Sequence, residues 1–154
     1  MPYVSRGGHK LAHALDAFAV DPAGLVCADL GCSVGGFTDC LLQRGAEKVY
    51  AVDTGYGVLD WKLRSDDRVV VMERTNALRV EIPELCGLVV VDASWTRQTR
   101  IMPKALSLLT PGGAVITLVK PHYEAPRDWL DGGVLPEDRH PDVLSQVIAE
   151  LREA

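Results

Sequence analysis

The stretch DLGCSVGGF (residues 29–37) follows the apolar run LVCA (25–28), so an acid and three glycines stand where a predicted strand gives way to a helix. Glycine serves where the chain turns sharply or where a ligand must approach the backbone. Three uses fit such a turn: a tight structural corner, a cradle for a dinucleotide, or a site for another cofactor that carries adenosine. The rest of the chain decides between them.

Short apolar runs rich in β-branched residues recur along the chain. They cover residues 25–29, 48–53, 68–72, 87–92 and 114–120. Continuous runs of this length are typical of parallel strands covered on both faces. Helical patterns lie between them, one ending at Gly45 and one covering 97–113, and amphipathic segments flank the set. Alternation of strand and helix predicts an α/β fold, with a mostly parallel sheet and helices on both faces.

The composition is that of an ordinary globular protein. The chain has 154 residues, 47% hydrophobic and 24% charged, which predicts one domain over residues 1–154 with a sizeable core. A net charge of −5 argues against a protein that grips nucleic acid over its whole surface. No run approaches the roughly 20 apolar residues of a membrane span, and the amino end has no signal-peptide core. The chain is therefore predicted to be cytoplasmic and not to associate with membranes.

The cysteines do not form a metal-binding pattern. Cys27, Cys32, Cys40 and Cys86 contain no C-x-x-C pair, and no histidine cluster accompanies them. Zinc sites need closely spaced ligands, so no metal is predicted. In a chain without an export signal, we expect reduced thiols packed as small hydrophobic groups.

Charged residues end four of the predicted strands. They are Asp29, Asp53, Asp92 and Lys120. In open α/β sheets, ligands bind outside the carboxyl ends of the strands, where the strand order reverses. One such charge alone would merely mark where a strand emerges into water. Four at the same edge, beside a glycine turn, predict a site.

The glycine spacing narrows the choice of ligand. A dinucleotide fingerprint reads G-x-G-x-x-G, whereas Gly31 is followed here by Gly35 and Gly36. Asp29 is unfavourable beside a pyrophosphate and suits an amine, and a carboxylate at Asp53 can bind both hydroxyls of a ribose. S-adenosylmethionine is an adenosine that carries an ammonium group and a carboxylate instead of a phosphate. The pattern favours this cofactor, and a purely structural corner stays open as the alternative.

Two stretches carry a resemblance to a known family: YVSRGGHKL (3–11) and the block from Asp29 to Asn76. They resemble the methyltransferase domain of the TlyA family, whose members are known as haemolysins and as ribosomal RNA 2′-O-methyltransferases. That family is similar to the wider FtsJ group. The likeness runs from Tyr3 to about Glu124. It implies a Rossmann-like fold that binds S-adenosylmethionine and methylates ribose 2′-hydroxyls of RNA.

The resemblance also implies roles for individual residues. The FtsJ group uses a Lys-Asp-Lys-Glu tetrad, whose first three members correspond by motif to Lys10, Asp92 and Lys120. Lys120 is then expected to take the proton of the attacking hydroxyl, beside Lys10 and Asp92. The residues expected at the cofactor are Asp29, Gly31, Cys32, Ser33, Gly35, Gly36, Phe37, Asp53, Asn76 and Asp92.

The chain departs from the family pattern in three places. The core motif begins at Tyr3, with no RNA-binding domain of the ribosomal-protein type before it. The DVSF region reads DASW (92–95) and is followed by TRQTR, which predicts a different substrate-side surface. Trp95 is expected either to stack on a base or to pack in the core. The chain reaches Ala154 without the family's last two strands or the tetrad glutamate.

Without those strands, the run 114–120 is predicted to form an exposed sheet edge. We expect a partner chain, a rearranged tail or a further segment to cover it, and a homodimer is one such arrangement. Basic residues near Lys10, at Lys62 and Arg64, and after Asp92 predict weak, salt-sensitive contact with RNA, ribosomal RNA in particular. Two other hypotheses remain: a module that binds the cofactor without transferring methyl groups, and a haemolytic protein, which only the family's name suggests.

Overall fold

A computed structural model describes residues 2–131 and 135–153 of the chain. Its sheet contains β1 (Val26–Leu30), β2 (Lys48–Val52), β3 (Val69–Met72), β4 (Cys86–Val91) and β5 (Leu109–Thr117). All four neighbouring pairs are parallel, and the strand order is β3-β2-β1-β4-β5. The predicted α/β fold with a parallel sheet is confirmed.

Within the described residues, six α-helices connect and flank the strands. They are α1 (Gly7–Ala17), α2 (Gly36–Gln43), α3 (Trp61–Arg64), α4 (Gln98–Ser107), α5 (Pro121–Glu124) and α6 (His140–Glu153). Two 3₁₀ turns, Arg127–Trp129 and Glu137–Arg139, lie in the long segment predicted to be irregular, of which residues 132–134 fall outside the described part. None of the helices within that part is long and apolar enough to cross a membrane.

Both faces of the sheet are covered, which explains the continuous apolar runs. Alternate strand residues belong to two different clusters: Val49 and Val90 pack with α1 and α2, whereas Val52 and Val91 pack with α4. Because the central strands β1, β2 and β4 bury both sets of side chains, their sequences lack the polar alternation of a half-exposed strand. Each buried valine or leucine stabilises the fold by about 1.5–3 kcal/mol.

The strand order creates a crevice between β1 and β4. The chain steps outward from β1 to β2 and β3 and then returns to β4 on the other side of β1. The backbone N–H of Gly31 donates to Val52 O over 2.8 Å, and that of Asp92 donates to Leu30 O over 3.0 Å. Loops after β1 and β4 are thereby held side by side at the point where ligands bind in such sheets.

The boundary between α4 and β5 differs from the prediction. The helical pattern was expected to continue to Pro111, but α4 ends at Ser107 and β5 already begins at Leu109. The register between β4 and β5 shifts here, because Cys86 pairs with Leu109 and Leu88 with Ala114. The residues between bulge out of the ladder, with Gly112 at a φ of +80° that few other residues adopt. β5 lies at one edge of the sheet, as predicted; its coverage by a partner stays a prediction.

Gly36 lets α1 lie directly against the start of α2. A Cβ at this position would collide with Ser5 Oγ and lie 2.8 Å from the backbone nitrogen of Gly8. The absence of a side chain at Gly36 therefore allows the two backbones to meet, and it brings Lys10 on α1 to the glycine turn.

We predict that Gly36→Ala lowers the free energy of unfolding by about 1–3 kcal/mol, because α1 must move to admit the methyl group. Thermal or denaturant unfolding measures the loss. Gly7→Ala is the matched control at the same contact, since its Cβ would lie 3.4 Å from Phe37 and Ser5, an ordinary packing distance. An alanine that fits in a helix is neutral or stabilising, so equal losses in both variants would contradict the argument.

Candidate active site

Asp29 lies inside β1 and not at its end, which corrects one predicted strand end. It pairs in register with Ala51 and Val90 and is fully buried. Thr38 Oγ1 donates a hydrogen bond to its Oδ2 over 2.7 Å, whereas Oδ1 has no hydrogen-bond partner among the described residues. Burial, and to a smaller extent the nearby carboxylate of Asp92, raise the pKa of Asp29 to about 7 against the opposing effect of the hydrogen bond from Thr38. A buried oxygen is thus left available beneath the glycine turn.

A cleft of about 160 Å³, called here the glycine cleft, opens at the glycine turn, and the fully buried Asp29 is not among the residues that line it. Seven of the predicted site residues line it: Lys10, Gly31, Cys32, Ser33, Gly36, Phe37 and Asp92. Sequence reasoning missed Ser5, Gly7 and Val34, which also line it. The motif that contains Ser5 and Gly7 was quoted only for Lys10, and the contact of α1 with α2 is what brings them in.

Three other predicted cofactor residues, Asp53, Asn76 and Gly35, do not line this cleft. Asp53 follows β2, and its carboxylate accepts hydrogen bonds from Ser33 N at 3.4 Å and Gly55 N at 3.0 Å. Asn76 follows β3, and its side chain accepts a hydrogen bond from Leu78 N. Gly35 has a φ of +111°, and a Cβ there would meet the side chains of α3 rather than the cleft. Asp53 and Asn76 therefore lie at the carboxyl edge of the sheet, and Gly35 shapes the turn.

The structure brings Lys120 to Asp92. Lys120 Nζ lies 2.8 Å from Asp92 Oδ1, and both side chains are a little over one quarter exposed. Lys120 comes three residues after the end of β5, so it is not a strand end as predicted but belongs to the loop beyond it. It lines a second cleft of about 320 Å³, the lysine cleft, together with Lys10, Leu118 and Tyr123.

Lys10 lines both clefts, and the Asp92–Lys120 ion pair joins their walls. Asp92 belongs to the glycine cleft and Lys120 to the lysine cleft. A third cleft of about 270 Å³, the tryptophan cleft, is lined by Trp95, Arg97 and Tyr123 among others and shares Tyr123 with the lysine cleft. A groove therefore runs from the glycine turn past two lysines to an aromatic surface.

Trp95 is 45% exposed. Of its two predicted environments, packing in the core is wrong, and stacking on a base stays a prediction.

The cysteine thiols are not available as nucleophiles in this groove. All four cysteines are buried and free, and burial raises the pKa of the Cys32 thiol well above its usual range, which keeps it protonated. Within residues 2–131 and 135–153, no group of three or more His, Cys, Asp or Glu side chains is arranged to hold a metal ion.

The family model for FtsJ-like methyltransferases matches residues 3–153. This chain belongs to the FtsJ-like methyltransferase family. Two FtsJ-like relatives are the 16S/23S rRNA (cytidine-2′-O)-methyltransferase TlyA of Mycobacterium tuberculosis, 46% identical over 93% of this chain, and Hemolysin A of Brachyspira hyodysenteriae, 42% identical over 97%. The match covers 56% of the first and 65% of the second. The chain thus spans between about half and two thirds of these relatives.

Solved structures agree with the family. A provisionally named hemolysin from Streptococcus thermophilus is 42% identical, with a TM-score of 0.91 over 97% of this chain and 56% of that one. An S-adenosylmethionine dependent methyltransferase from Mesorhizobium loti is 22% identical, with a TM-score of 0.61 over 74% of this chain and 55% of that one. The second likeness concerns the fold alone and confirms the predicted Rossmann-like architecture of this FtsJ-like chain.

The raised pKa of Asp29 predicts how stability depends on pH. The folded protein holds this proton up to about pH 7, whereas an unfolded Asp with a pKa of 3.8 has already lost it. The contribution of Asp29 to the free energy of unfolding is therefore present below about pH 4 and is lost as pH rises through 7. Between these pH values, the contribution of Asp29 to the free energy of unfolding falls by at most about 1.4 kcal/mol per pH unit.

Denaturant unfolding of the wild type and of Asp29→Asn from about pH 5 to about pH 8 tests this expectation, because the difference between them must change with pH. Asp66→Asn is the control, since the hydrogen bond from Arg68 lowers the pKa of Asp66 and leaves it ionised throughout this range. A difference from wild type that is as constant for Asp29→Asn as for Asp66→Asn would refute the buried proton.

Proposed function

We propose that this chain forms the catalytic domain of an S-adenosylmethionine-dependent methyltransferase that methylates ribose 2′-hydroxyls of ribosomal RNA. The observation that carries the proposal is the Asp92–Lys120 ion pair between the glycine and lysine clefts, with Lys10 lining both. A transferase of this kind needs its electrophile on one side of the reacting groups and its nucleophile on the other.

The chemistry of the glycine cleft fits the amino-acid end of the cofactor. The buried Asp29 Oδ1 can accept a hydrogen bond from an ammonium group. A Cβ at Gly31 would collide with the carbonyl oxygen of Asp92, so the turn leaves only backbone at this wall. Asp53, after the next strand, has carboxylate lone pairs left for the hydroxyls of a ribose. Asp29, Gly31 and Asp53 would thus hold the cofactor from the ammonium to the ribose.

The lysine cleft has the groups to receive the methyl acceptor. When bound, the cofactor supplies an electrophilic methyl group on a sulfonium. The ion pair to Asp92 fixes the position of Lys120 Nζ. Lys120 acts as the general base only after its ammonium group has given up one proton to solvent, and the resulting amine then takes the proton of the attacking hydroxyl. Lys10 adds a positive charge beside the same space and favours a phosphate or a developing oxyanion there. Most of the remaining acceleration is positioning of two groups that are already reactive.

Support for RNA as the substrate comes from the tryptophan cleft and from the relatives. The exposed Trp95 offers a face on which an unpaired base can stack. The relative from Mycobacterium tuberculosis is named for cytidine 2′-O-methylation of 16S and 23S rRNA. Among the predicted basic residues, Arg97 and Arg64 are engaged with Glu124 and Glu73. The chain's own contact with RNA is therefore expected to be weak and salt-sensitive.

A homodimer through the β5 edge is proposed as one way to pair its unpaired backbone groups. Light scattering on the purified chain tests this proposal. A monomer at micromolar concentration would exclude the homodimer. A dimer that dissociates when one residue of β5 is replaced by lysine would support it.

The experiment for the main proposal combines cofactor binding with methyl transfer to ribosomal RNA. We expect Lys120→Ala to lower kcat at least about 100-fold, because both the proton acceptor and the partner of Asp92 are lost. Binding of S-adenosylmethionine, measured by calorimetry, is expected to change little in this variant. Asp53→Ala is expected to weaken that binding about tenfold or more, through lost hydrogen bonds to the ribose.

Lys48→Ala is the matched control. Lys48 pairs with Glu84 at the amino end of β2, whereas the clefts lie at the carboxyl ends of the strands. It is expected to retain wild-type transfer. Cofactor binding by the wild type without any methyl transfer would instead identify a non-catalytic binding module, and absence of binding would refute the proposal altogether.

A further inference from the structure

Gln98, the first residue of α4, is a buried polar residue whose hydrogen bonds lead to the segment that carries Lys120. Only 2% of the residue is exposed. Its Nε2 donates to the carbonyl oxygen of Leu118 over 3.1 Å, and its Oε1 accepts from Thr117 Oγ1 over 2.6 Å. Its backbone N–H donates to Glu124 Oε1 over 2.8 Å.

Glu124 is the second tether on the same segment. It is 3% exposed, and its carboxylate accepts the Gln98 N–H that begins α4. Arg97 contacts Glu124 twice, from Nε to Oε2 at 3.4 Å and from Nη2 to the backbone oxygen at 3.1 Å. Buried polar groups with several such partners specify one arrangement, because any other leaves them unpaired in a low-dielectric interior.

The two tethers, which are the hydrogen bond of Gln98 to Leu118 and the contacts of Arg97 and Gln98 with Glu124, lie on either side of Lys120 in the chain. Leu118 comes two residues before it and is bound by Gln98, and Glu124 comes four residues after it and is bound by both Arg97 and Gln98 at the start of α4. The N–H of Leu118 also donates to Val91 O over 2.8 Å, directly before Asp92. Asp92, the loop to Gln98, the tethered segment and the Lys120–Asp92 ion pair thus form a closed ring.

We propose that Gln98 is a positioning residue that sets Lys120 against Asp92 by holding the end of β5 and the start of α5. The part of this proposal that concerns catalysis rests on the proposed function, whereas the part that concerns the position of Lys120 does not. β5 is an edge strand, and Lys120 follows it in the chain, beyond the last hydrogen bonds that pair β5 with β4. The sheet alone therefore does not fix the position of Lys120. The amide of Gln98 supplies both a donor, to Leu118 O, and an acceptor, for Thr117 Oγ1, next to the end of β5.

The test replaces Gln98 with a side chain of similar size that cannot form hydrogen bonds. In Gln98→Leu, kcat for methyl transfer is expected to fall about tenfold or more, as misplacement of a reacting group does. The dissociation constant of S-adenosylmethionine is expected to stay within about twofold, because the proposed ligands Asp29, Gly31 and Asp53 lie on β1 or directly after β1 and β2, away from the contacts of Gln98.

A second readout does not need catalysis. Labelling of lysines with an amine-reactive reagent, followed by peptide mass spectrometry, reports how firmly Lys120 is paired. Relative to Lys48 as internal reference, Lys120 is expected to react about threefold faster in Gln98→Leu, the change that corresponds to loosening a partly exposed ion pair. Thr117→Val, which removes one hydrogen bond and keeps the fold, is expected to change both readouts in the same direction and by less.

Ile101→Val is the matched control, since Ile101 is fully buried on the same helix and outside the ring. It is expected to lower stability without changing either the Lys120 labelling rate or kcat. Faster labelling in Gln98→Leu with no methyl transfer in the wild type would leave the positioning role intact and refute the proposed function. Wild-type labelling and wild-type kcat in both Gln98→Leu and Thr117→Val would overturn the positioning role.

Discussion

The close contact of Gly31 with the backbone of Asp92 is the constraint on which the candidate site depends. Gly31 has a φ of +88°, and a Cβ there would collide with the Asp92 carbonyl oxygen and lie 3.0 Å from its carbonyl carbon. Only glycine meets both conditions, because it tolerates this backbone conformation and needs no space for a side chain. The loops after β1 and β4 can therefore lie side by side, which places Asp92 at the glycine cleft and, through its ion pair, fixes where Lys120 must be.

A second backbone contact adds the remaining lysine. Lys10 lies on α1, outside the sheet, and reaches the site because Gly36 allows α1 to lie against the start of α2. Gly31 and Gly36, which belong to the same turn, thus serve mainly to let neighbouring parts of the backbone approach closely. The sequence had suggested that the same glycines admit a ligand. The two uses are compatible, since a turn with few side chains also leaves room in the cleft that the packed elements enclose.

The parallel sheet and most of the cleft-lining residues could be predicted, because strand runs and motif spacing are local properties of the sequence. The depth of Asp29 could not: whether an acid ends a strand or lies within it depends on where the neighbouring strands end, and here β2 and β4 both extend past it. The predicted end of α4 was wrong for a related reason. Leu109 pairs with Cys86 of β4, and the helical pattern of the sequence did not indicate this pairing. Ser5 and Gly7 were missed because a contact between helices brings them to the cleft.

The two sides of the groove are held by different forces, and this difference has consequences for how the site tolerates change. Asp29 and the loops after β1 and β2 are supported by strands paired on both sides, so the cofactor side is fixed by sheet hydrogen bonds and apolar packing. The acceptor side rests on an edge strand and on the buried polar groups of Gln98 and Glu124. Polar contacts are directional, and the change of one partner leaves another buried group unpaired and weakens the rest of the network. The acceptor side should therefore lose its geometry before the cofactor side does, with binding of the cofactor outlasting transfer.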